Sequence, residues 1–245
     1  MPFTFAHPAI VLPFSKIRSS YISVSCLVVG SIIPDFEYFI TMKATGRFSH
    51  SLPGAFAFDL PFALVVVLIF HGLVKKPLID SLPSYLYSRL IDLREFNFIE
   101  NFKKKYFRFI LCLLVGIFSH IAWDSFTHSN SYFVDQFTVL TKPVTISYLP
   151  SWPLFRYLQH ISTGIGVLVI LYFFHHQPAR LGKVNRIHLS YWIGVSVITL
   201  VAFGVRWAYE FEYFADIVAS LISSLLLAIT IISSIFTIRS TNTPK

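Results

Sequence analysis

The chain has 245 residues, of which 55% are hydrophobic and only 13% are charged, and its mean hydropathy is +0.65. Because a soluble globular domain carries about 25% charged residues, this composition argues against a soluble protein and favours one that sits in lipid. The formal net charge is +8, which in a membrane protein usually comes from cytoplasmic-loop Lys and Arg. No nucleic-acid partner is therefore expected.

Six apolar runs follow one another along the chain, each long enough to cross or nearly cross the hydrocarbon of a bilayer. The predicted spans are residues 21–42, 56–74, 107–126, 161–176, 191–207 and 214–238. They predict an all-α fold, a polytopic membrane bundle of five to six helices, in a single domain over residues 1–245. A basic, water-soluble loop is expected at 75–108 and a disordered tail at 239–245.

The first predicted span contains a proline and two carboxylates in the order Pro34-Asp35-Phe36-Glu37. The proline predicts a helix break or a helix start, and a carboxylate in lipid is costly unless it is paired or bound to a metal ion. Residues two apart on a helix point about 200° apart, so both carboxylates can face one site only if Pro34 distorts the backbone. We expect Asp35 to face inward as a catalytic residue, with Glu37 as a second catalytic candidate.

The third span ends in a run that places His120, Asp124 and His128 at intervals of four residues. A step of four on an α-helix turns a side chain by about 40° and lifts it about 6 Å, so His120 and Asp124 could bind one metal ion. His128 lies about 12 Å along the axis from His120; it could share that ion only if the helix ends or bends, or it could bind a second ion. Imidazole with carboxylate suits zinc, manganese or iron. The alternative interpretation is that these residues cap a buried helix.

The distribution of Lys and Arg predicts the orientation of the spans. Residues 75–108 carry eight basic residues against four acidic ones, which places them in the cytoplasm, and six spans then place both chain ends there. The potential ligands at the opposite, outer face are Asp35, Glu37, His50, Asp59, His120, Asp124, His128, His160, Glu210, Glu212 and Asp216.

Six full spans put His7 on the wrong side, and it could join this group only if residues 21–42 do not cross fully. The histidines expected on the cytoplasmic side, as interfacial or solvated residues, are His71, His175, His176 and His188.

Ordered motifs extend over nearly the whole chain. They are Met1-Pro2-Phe3-Thr4-x-x-His7-Pro8-Ala9, Gly30-Ser31-x-x-Pro34-Asp35-Phe36-Glu37-Tyr38, His50-Ser51, His120-x-x-x-Asp124-Ser125-x-Thr127-His128 and Gln159-His160. This set resembles a bacterial membrane-protein family defined only as a domain of unknown function, DUF4184. It is similar, more distantly, to the LexA-regulated metal-dependent hydrolases of the inner membrane, and further still to the zinc-dependent phospholipases C and nucleases.

The resemblance implies a multi-pass protein of the bacterial cytoplasmic (inner) membrane that hydrolyses phosphoesters with a divalent metal, zinc being the expected ion. It implies Asp35 as a bridging ligand or general base. The metal ligands that it implies are His7, Asp35, His50, His120, Asp124, His128 and His160. One departure is that Gly164 follows His160 at the fourth position, where the phospholipases carry a glutamate; the last ligand is then missing or supplied by Glu210 or Glu212. A site at the outer leaflet favours a membrane lipid or a lipid-linked phosphate as substrate.

Two other classes of function remain open at this point. A membrane or envelope protein could hold a noncatalytic metal site with the same ligands. A transporter would also place ionisable residues inside its spans, although it would more often show an internal repeat with broken helices in matching halves, and the sequence shows one proline-broken span and no evident repeat. Metal content separates the transporter from the other two classes, and turnover of a phosphodiester separates those two from each other.

The predicted orientation can be tested with cysteines placed at Ser84 and Ser151. We expect an impermeant thiol reagent applied to intact cells to label the Ser151→Cys variant and to leave the Ser84→Cys variant unlabelled, because the basic loop is cytoplasmic. Equal labelling of the two positions would contradict the orientation and the grouping of ligands on one face.

Overall fold

The computed structural model describes residues 3–16, 22–46, 48–145, 147–148, 150–180 and 187–242. Within these ranges the chain is almost entirely helical, and the only strands are β1 (Pro143–Val144) and β2 (Trp152–Pro153), which pair antiparallel. The predicted all-α fold is therefore confirmed. Met1 and Pro2 of the N-terminal motif, and residues 243–245 of the predicted tail, lie outside the described residues.

The helices vary widely in length. The α-helices of the described ranges are α1 (Pro8–Val11), α2 (Val24–Ile32), α3 (Phe36–Thr41), α4 (Leu52–Gly54), α5 (Leu60–Ile69), α6 (Lys75–Asp80), α7 (Ser84–Glu95), α8 (Phe98–Asp124), α9 (Tyr132–Gln136), α10 (Thr138–Thr141), α11 (Leu154–His175), α12 (Leu189–Trp207) and α13 (Phe214–Asn242). Thr4–Ala6, Leu12–Lys16 and Ile33–Asp35 form 3-10 turns, and Ala55–Asp59 and Phe70–Val74 form π-helical turns.

Six helical stretches of the described chain are long and apolar enough to cross a membrane. They are Val24–Thr41, Leu52–Asp80, Phe98–Asp124, Leu154–His175, Leu189–Trp207 and Phe214–Arg239. The prediction of a polytopic membrane protein is confirmed. The 3-10 turn at Ile33–Asp35 interrupts the first stretch where Pro34 predicted a break, since proline has no backbone N–H to donate.

Several boundaries differ from the prediction. The second span extends over Leu52–Asp80, and the fourth begins at Leu154 and not at 161. Residues 75–108 are not a loop but form α6, α7 and the start of α8, with a non-helical residue at Lys105 (φ −142°, ψ 40°). The Leu, Arg and Glu residues of α7 favour a helix, and α7 packs against α6 and buries Ile91. The tail was predicted to be disordered from 239, but α13 continues to Asn242, since Arg239 in its last turn interacts favourably with the helix C-terminus.

The chain divides into two compact units. One comprises Met1–Asp35, Arg47–Ala63 and Phe107–His176, and the other comprises Phe36–Gly46, Leu64–Tyr106 and Gln177–Lys245. Each unit combines segments that are distant in sequence, and each has its own buried residues. The single domain expected over residues 1–245 stays a prediction.

In the first unit, α2 and α8 approach each other backbone to backbone. A Cβ atom on Gly30 would lie 2.3 Å from the carbonyl oxygen of Leu113, and one on Gly116 would lie 2.5 Å from that of Leu27. Helices in membranes reach this proximity only where small residues line the contact. As a result His120, about one turn beyond Gly116, lies against the end of α2.

The N-terminal turn of the first unit packs against α11. A Cβ atom on Gly166 would lie 3.0 Å from the Cβ and from the carbonyl oxygen of Ala6, and the backbone N–H of Phe3 donates to Thr163 Oγ1 at 3.3 Å. This packing encloses His7, whose exposed fraction is 1%.

In the second unit, α12 packs along α13. Tyr191, Val195, Ala228 and Ile232 form a buried cluster, and the hydroxyls of Tyr191 and Ser233 share a hydrogen bond of 2.9 Å. This pair satisfies two polar groups that would otherwise be buried without partners.

Asp216 caps the start of α13 in the same unit. Its carboxylate accepts the backbone N–H groups of Ala44, Glu212 and Tyr213 at 2.8, 3.2 and 3.1 Å. A carboxylate in this position satisfies donors that have no acceptor within the helix. The sequence grouped Asp216 with Glu210 and Glu212 as outer-face ligands; in the structure Asp216 is a helix cap and both glutamates are exposed.

The contact between α2 and α8 predicts which glycine tolerates a side chain. Gly116→Ala should lower the stability of the detergent-solubilised protein by about 1–3 kcal/mol, because its methyl group overlaps backbone atoms. Gly164→Ala is the matched control, since no described atom outside the adjacent residues and turns of its own helix lies within 4 Å of the added Cβ and alanine favours the helix by about 1 kcal/mol. Thermal unfolding followed by circular dichroism measures both; a similar change in the two variants would contradict the close contact.

Candidate metal centre

Three segments of the first unit bring four ionisable side chains together. Asp35 comes from the 3-10 turn after α2, His50 from the turn before α4, and His120 and Asp124 from adjacent turns of α8. Each side chain offers one ligand atom, and these atoms all lie within 4.8 Å of one another. The cluster could therefore hold a metal ion.

The turn that carries His50 is defined by its neighbours. Ser51 caps α4, because its Oγ accepts the N–H of Gly54 at 3.0 Å and donates to the carbonyl of Phe48 at 2.6 Å. A Cβ atom on Gly54 would overlap the carbonyl oxygen of Phe48 at 1.8 Å, so the turn closes only with glycine there. In the His50-Ser51 motif, His50 is thus the candidate ligand, and Ser51 makes the hydrogen bonds that define the turn.

The ring nitrogens of two histidines face the oxygens of both carboxylates. His50 Nε2 lies 3.4 Å from Asp35 Oδ1 and 3.4 Å from Asp124 Oδ2. His120 Nε2 lies 3.6 Å from Asp35 Oδ1, 3.4 Å from Asp124 Oδ2 and 3.3 Å from His50 Nε2. The four-residue spacing of His120 and Asp124 accounts for their shared helix face. The tertiary fold brings Asp35 and His50 next to them.

The tautomer of His120 follows from its other nitrogen. His120 Nδ1 donates to the carbonyl oxygen of Ser31 at 2.8 Å, so the Nε2 of a neutral ring carries a lone pair. That lone pair faces two carboxylate oxygens. Electron-pair donors that converge at this distance need a cation or protons between them. At metal sites, a ligating histidine usually donates its second ring N–H to a group such as a backbone carbonyl, as His120 does. The residues therefore fit a divalent metal ion.

His7 and His128 lie next to the same carboxylate. His7 Nε2 is 3.4 Å from Asp124 Oδ1, and its ring stacks on that of His120 with centroids 3.8 Å apart. His128 Nδ1 is 3.5 Å from Asp124 Oδ2, and its Nε2 is 3.4 Å from Gln159 Nε2. The helix ends at Asp124, which is the condition under which His128 was expected to turn back towards His120.

The structure corrects the expected position of His7. The expectation that six spans place His7 away from the other ligands is wrong, because the short turns of residues 4–16 fold back along α2 and bury the ring beside His120. Burial, together with the neighbouring His120, lowers the pKa of His7 to about 3. Its ring is therefore neutral at physiological pH, and neither nitrogen has a hydrogen-bond partner within the described ranges.

The pKa of His50 is shifted in the direction opposite to that of His7. Burial alone would lower its pKa, but the hydrogen-bonded carboxylates of Asp124 and Asp35 outweigh burial and raise the pKa to about 10. The field that favours a proton at this position also favours a metal ion, and binding of the ion releases the proton. The His50 side chain is 19% exposed and that of His128 is 26% exposed, so the cluster opens to its surroundings on the side of these two rings.

Thr4 orients one carboxylate, a role that spacing did not reveal. Its Oγ1 donates to Asp35 Oδ2 at 2.5 Å, which leaves Oδ1 directed at the two histidines. Thr4, Ser31 and Gln159 all stand in the motifs quoted above, so the sequence marked these positions without indicating what they contact.

Two predicted site residues are not part of the cluster. His160 is exposed, and its ring lies 5.3 Å from that of Trp152; its neighbour Gln159 faces inward, because adjacent residues of a helix point about 100° apart. The carboxyl group of Glu37 lies over Gly46, consistent with its position two residues from Asp35 on a helical backbone.

The comparisons with known proteins identify a family, but they identify no curated protein and no solved structure as a relative. The model of the family described as Domain of unknown function (DUF4184) matches residues 1–235, so the chain belongs to this family and the main resemblance is confirmed. The more distant likeness to the LexA-regulated hydrolases has no support in these comparisons.

Metal content tests the centre directly. His120→Ala should remove the bound metal, because it deletes the ring whose Nε2 faces both carboxylates, and Thr4→Val should weaken metal binding about 10–100-fold, because it frees Asp35 to rotate. Ser125→Ala is the control on the same helix, since the Ser125 hydroxyl donates to the Ala122 carbonyl one turn back. Elemental analysis of purified protein, followed by competition with a chelator, measures all three; unchanged metal content in His120→Ala would exclude the centre.

Proposed function

We propose that this member of the DUF4184 family is an integral membrane, metal-dependent hydrolase of phosphoesters, with zinc as its ion. The observation that carries the proposal is the convergence of Asp35, His50, His120 and Asp124 in a chain that is otherwise apolar. Two carboxylates and two imidazoles are costly to bury unless they bind something.

The donor set favours zinc over the alkaline-earth ions. Imidazole nitrogens with carboxylate oxygens suit zinc and the neighbouring transition metals, whereas calcium and magnesium take oxygen ligands. His120 enters the set already oriented by the Ser31 carbonyl, and Asp35 is oriented by Thr4. These second contacts raise affinity by holding the ligands in place before binding.

Asp124 would contribute ligand atoms on two sides if two ions were bound. Its Oδ2 faces His50 and His120, whereas its Oδ1 faces His7, so one carboxylate connects two sets of imidazoles. The resemblance implied this role for Asp35; the geometry favours Asp124, since one Asp35 oxygen is taken by Thr4. In this proposal His7 would belong to a second position on the Oδ1 side, whereas His128, whose Nδ1 faces Oδ2, stays beside the first.

The chemistry divides between the metal and the side chains. A bound divalent ion polarises a phosphoryl oxygen and lowers the pKa of water towards 7. Asp35 Oδ1 is one of the four converging atoms; as general base it would accept the proton of the attacking water while His50, His120 and Asp124 hold the ion. His128 lies at the exposed side, with its Nδ1 next to Asp124, and would orient the phosphoryl group as it enters.

The surroundings of the two partly exposed histidines, His50 and His128, support a lipid or lipid-linked substrate. Phe48 and Leu52 flank His50 two residues away on each side and are 51% and 66% exposed. Phe126, two residues before His128, is 42% exposed. Apolar side chains on both approaches to the ligands suit a substrate whose phosphate is joined to an acyl or isoprenoid chain.

Turnover tests the proposal. The purified protein, loaded with zinc in detergent or lipid nanodiscs, should hydrolyse bis-p-nitrophenyl phosphate or a phospholipid, and a chelator should abolish the reaction. Asp35→Asn should lower the rate about 10²–10⁴-fold, the usual range for loss of a general base. Asp135→Asn is the control, because Asp135 is an exposed aspartate of the same unit. Bound metal without turnover of either substrate would replace the hydrolase with a noncatalytic metal protein, and absence of metal would favour the transporter.

A further inference from the structure

A pocket lies at the end of the second span, in the unit that does not contain the metal centre. It has a volume of about 240 Å³, and the residues that matter for its chemistry are His71, Lys75, Lys76, Glu95, Phe96 and Phe98. All of them belong to the segment Leu64–Tyr106 of one compact unit. Sites for drug-sized ligands occupy about 300–1,000 Å³, so this pocket suits an ion or a headgroup.

His71 is buried in the wall of this pocket with unused polar atoms. Its exposed fraction is 8%, and neither ring nitrogen has a hydrogen-bond partner in the described part of the chain. The ring stacks on Phe98 with centroids 4.2 Å apart and an interplanar angle of 11°, which holds its orientation. His71 was expected to be interfacial or solvated; it is not solvated, because the aromatic rings of Phe96 and Phe98 cover it.

The backbone around His71 is also irregular. His71 stands in the π-helical turn Phe70–Val74, and single π turns inside membrane or soluble helices occur frequently at functional sites. The turn is followed directly by Lys75 and Lys76 at the start of α6, so imidazole and ammonium groups come from one short stretch of chain.

The lysines leave the pocket positively charged. Lys75 is only 2% exposed, and its Nζ donates to the carbonyl of Phe96 at 2.5 Å. An ammonium group has three donors, and among the described residues no carboxylate lies within ion-pair distance of this one. Glu95 also lines the pocket and accepts from Arg94 Nη1 at 2.6 Å, and Arg94 binds Asp80 as well. Lys75, Lys76 and Arg94 therefore stand against two carboxylates, which leaves an excess of one positive charge.

We propose that this pocket binds a phosphate group, carried by the headgroup of an anionic membrane lipid or free in solution. Lys75 and Lys76 supply the charge, and the N–H of a neutral His71 supplies an oriented donor. The pocket stands near the C-terminal end of the apolar stretch Leu52–Asp80, and basic pockets at the end of a membrane span bind anionic headgroups. The site is independent of the proposed hydrolase, since none of its residues belongs to the metal centre.

Two variants and one control test the site in the full-length purified protein. His71→Phe keeps the ring that stacks on Phe98 and removes the N–H, and Lys76→Met removes a charge from an exposed position, where folding is not at risk. Lys103→Met makes the same change at an exposed lysine outside the pocket. Binding is measured in two arms: native mass spectrometry in phosphatidylcholine nanodiscs with and without phosphatidylglycerol, and thermal shift in detergent with inorganic phosphate against chloride.

We expect wild-type protein to bind at least one probe, with each pocket variant about 10-fold weaker, as for loss of one hydrogen bond to a charged group. Lys103→Met should bind as wild type does. Retention of phosphatidylglycerol identifies a lipid as the source of the phosphate, and a shift with inorganic phosphate alone identifies the free ion. The proposal is overturned if wild-type protein binds neither probe, or if Lys76→Met, with unchanged circular dichroism, binds as tightly as wild type.

Discussion

The contact between the backbones of α2 and α8 at Gly30 and Gly116 determines where the polar cluster can form. Without side chains at these positions the helices come close enough for His120 Nδ1 to reach the carbonyl of Ser31. That hydrogen bond selects the tautomer of His120 and points its lone pair at Asp35, which lies just beyond the end of α2. The close packing at the two glycines thus determines the tautomer and the orientation of His120.

Stability alone does not explain the cluster. Buried ion pairs often contribute little, and replacing them with apolar residues of similar volume is often neutral or stabilising. Asp35, Asp124, His7 and His120 are all buried, and their nitrogens and oxygens face one another at 3.4–3.6 Å. The cluster is therefore better accounted for by the proposed metal centre than by a contribution to stability.

Local patterns predicted part of this site and misplaced another part. The spacing of His120 and Asp124 predicted their common face, because the geometry of one helix sets it. His160 illustrates the limit: its position in a motif indicated a ligand, whereas the rotation of α11 turns Gln159 inward and leaves His160 beside Trp152. The sequence also did not predict that Asp216 accepts three backbone N–H groups, since one of them comes from Ala44, far away in sequence.

The sequence by itself determined that the chain is a helical membrane protein, where its six spans lie to within a few residues at most ends, and which helix carries paired ligands. Those features depend on the length of apolar runs and on a four-residue period, both of which are local. Only the tertiary structure decided that His7 and His50 join Asp124, that Thr4 orients Asp35, and that His71 is covered rather than solvated. Each of these depends on which backbones approach one another, and that approach depends on side-chain volumes, such as those of the glycines, at contacts between distant segments.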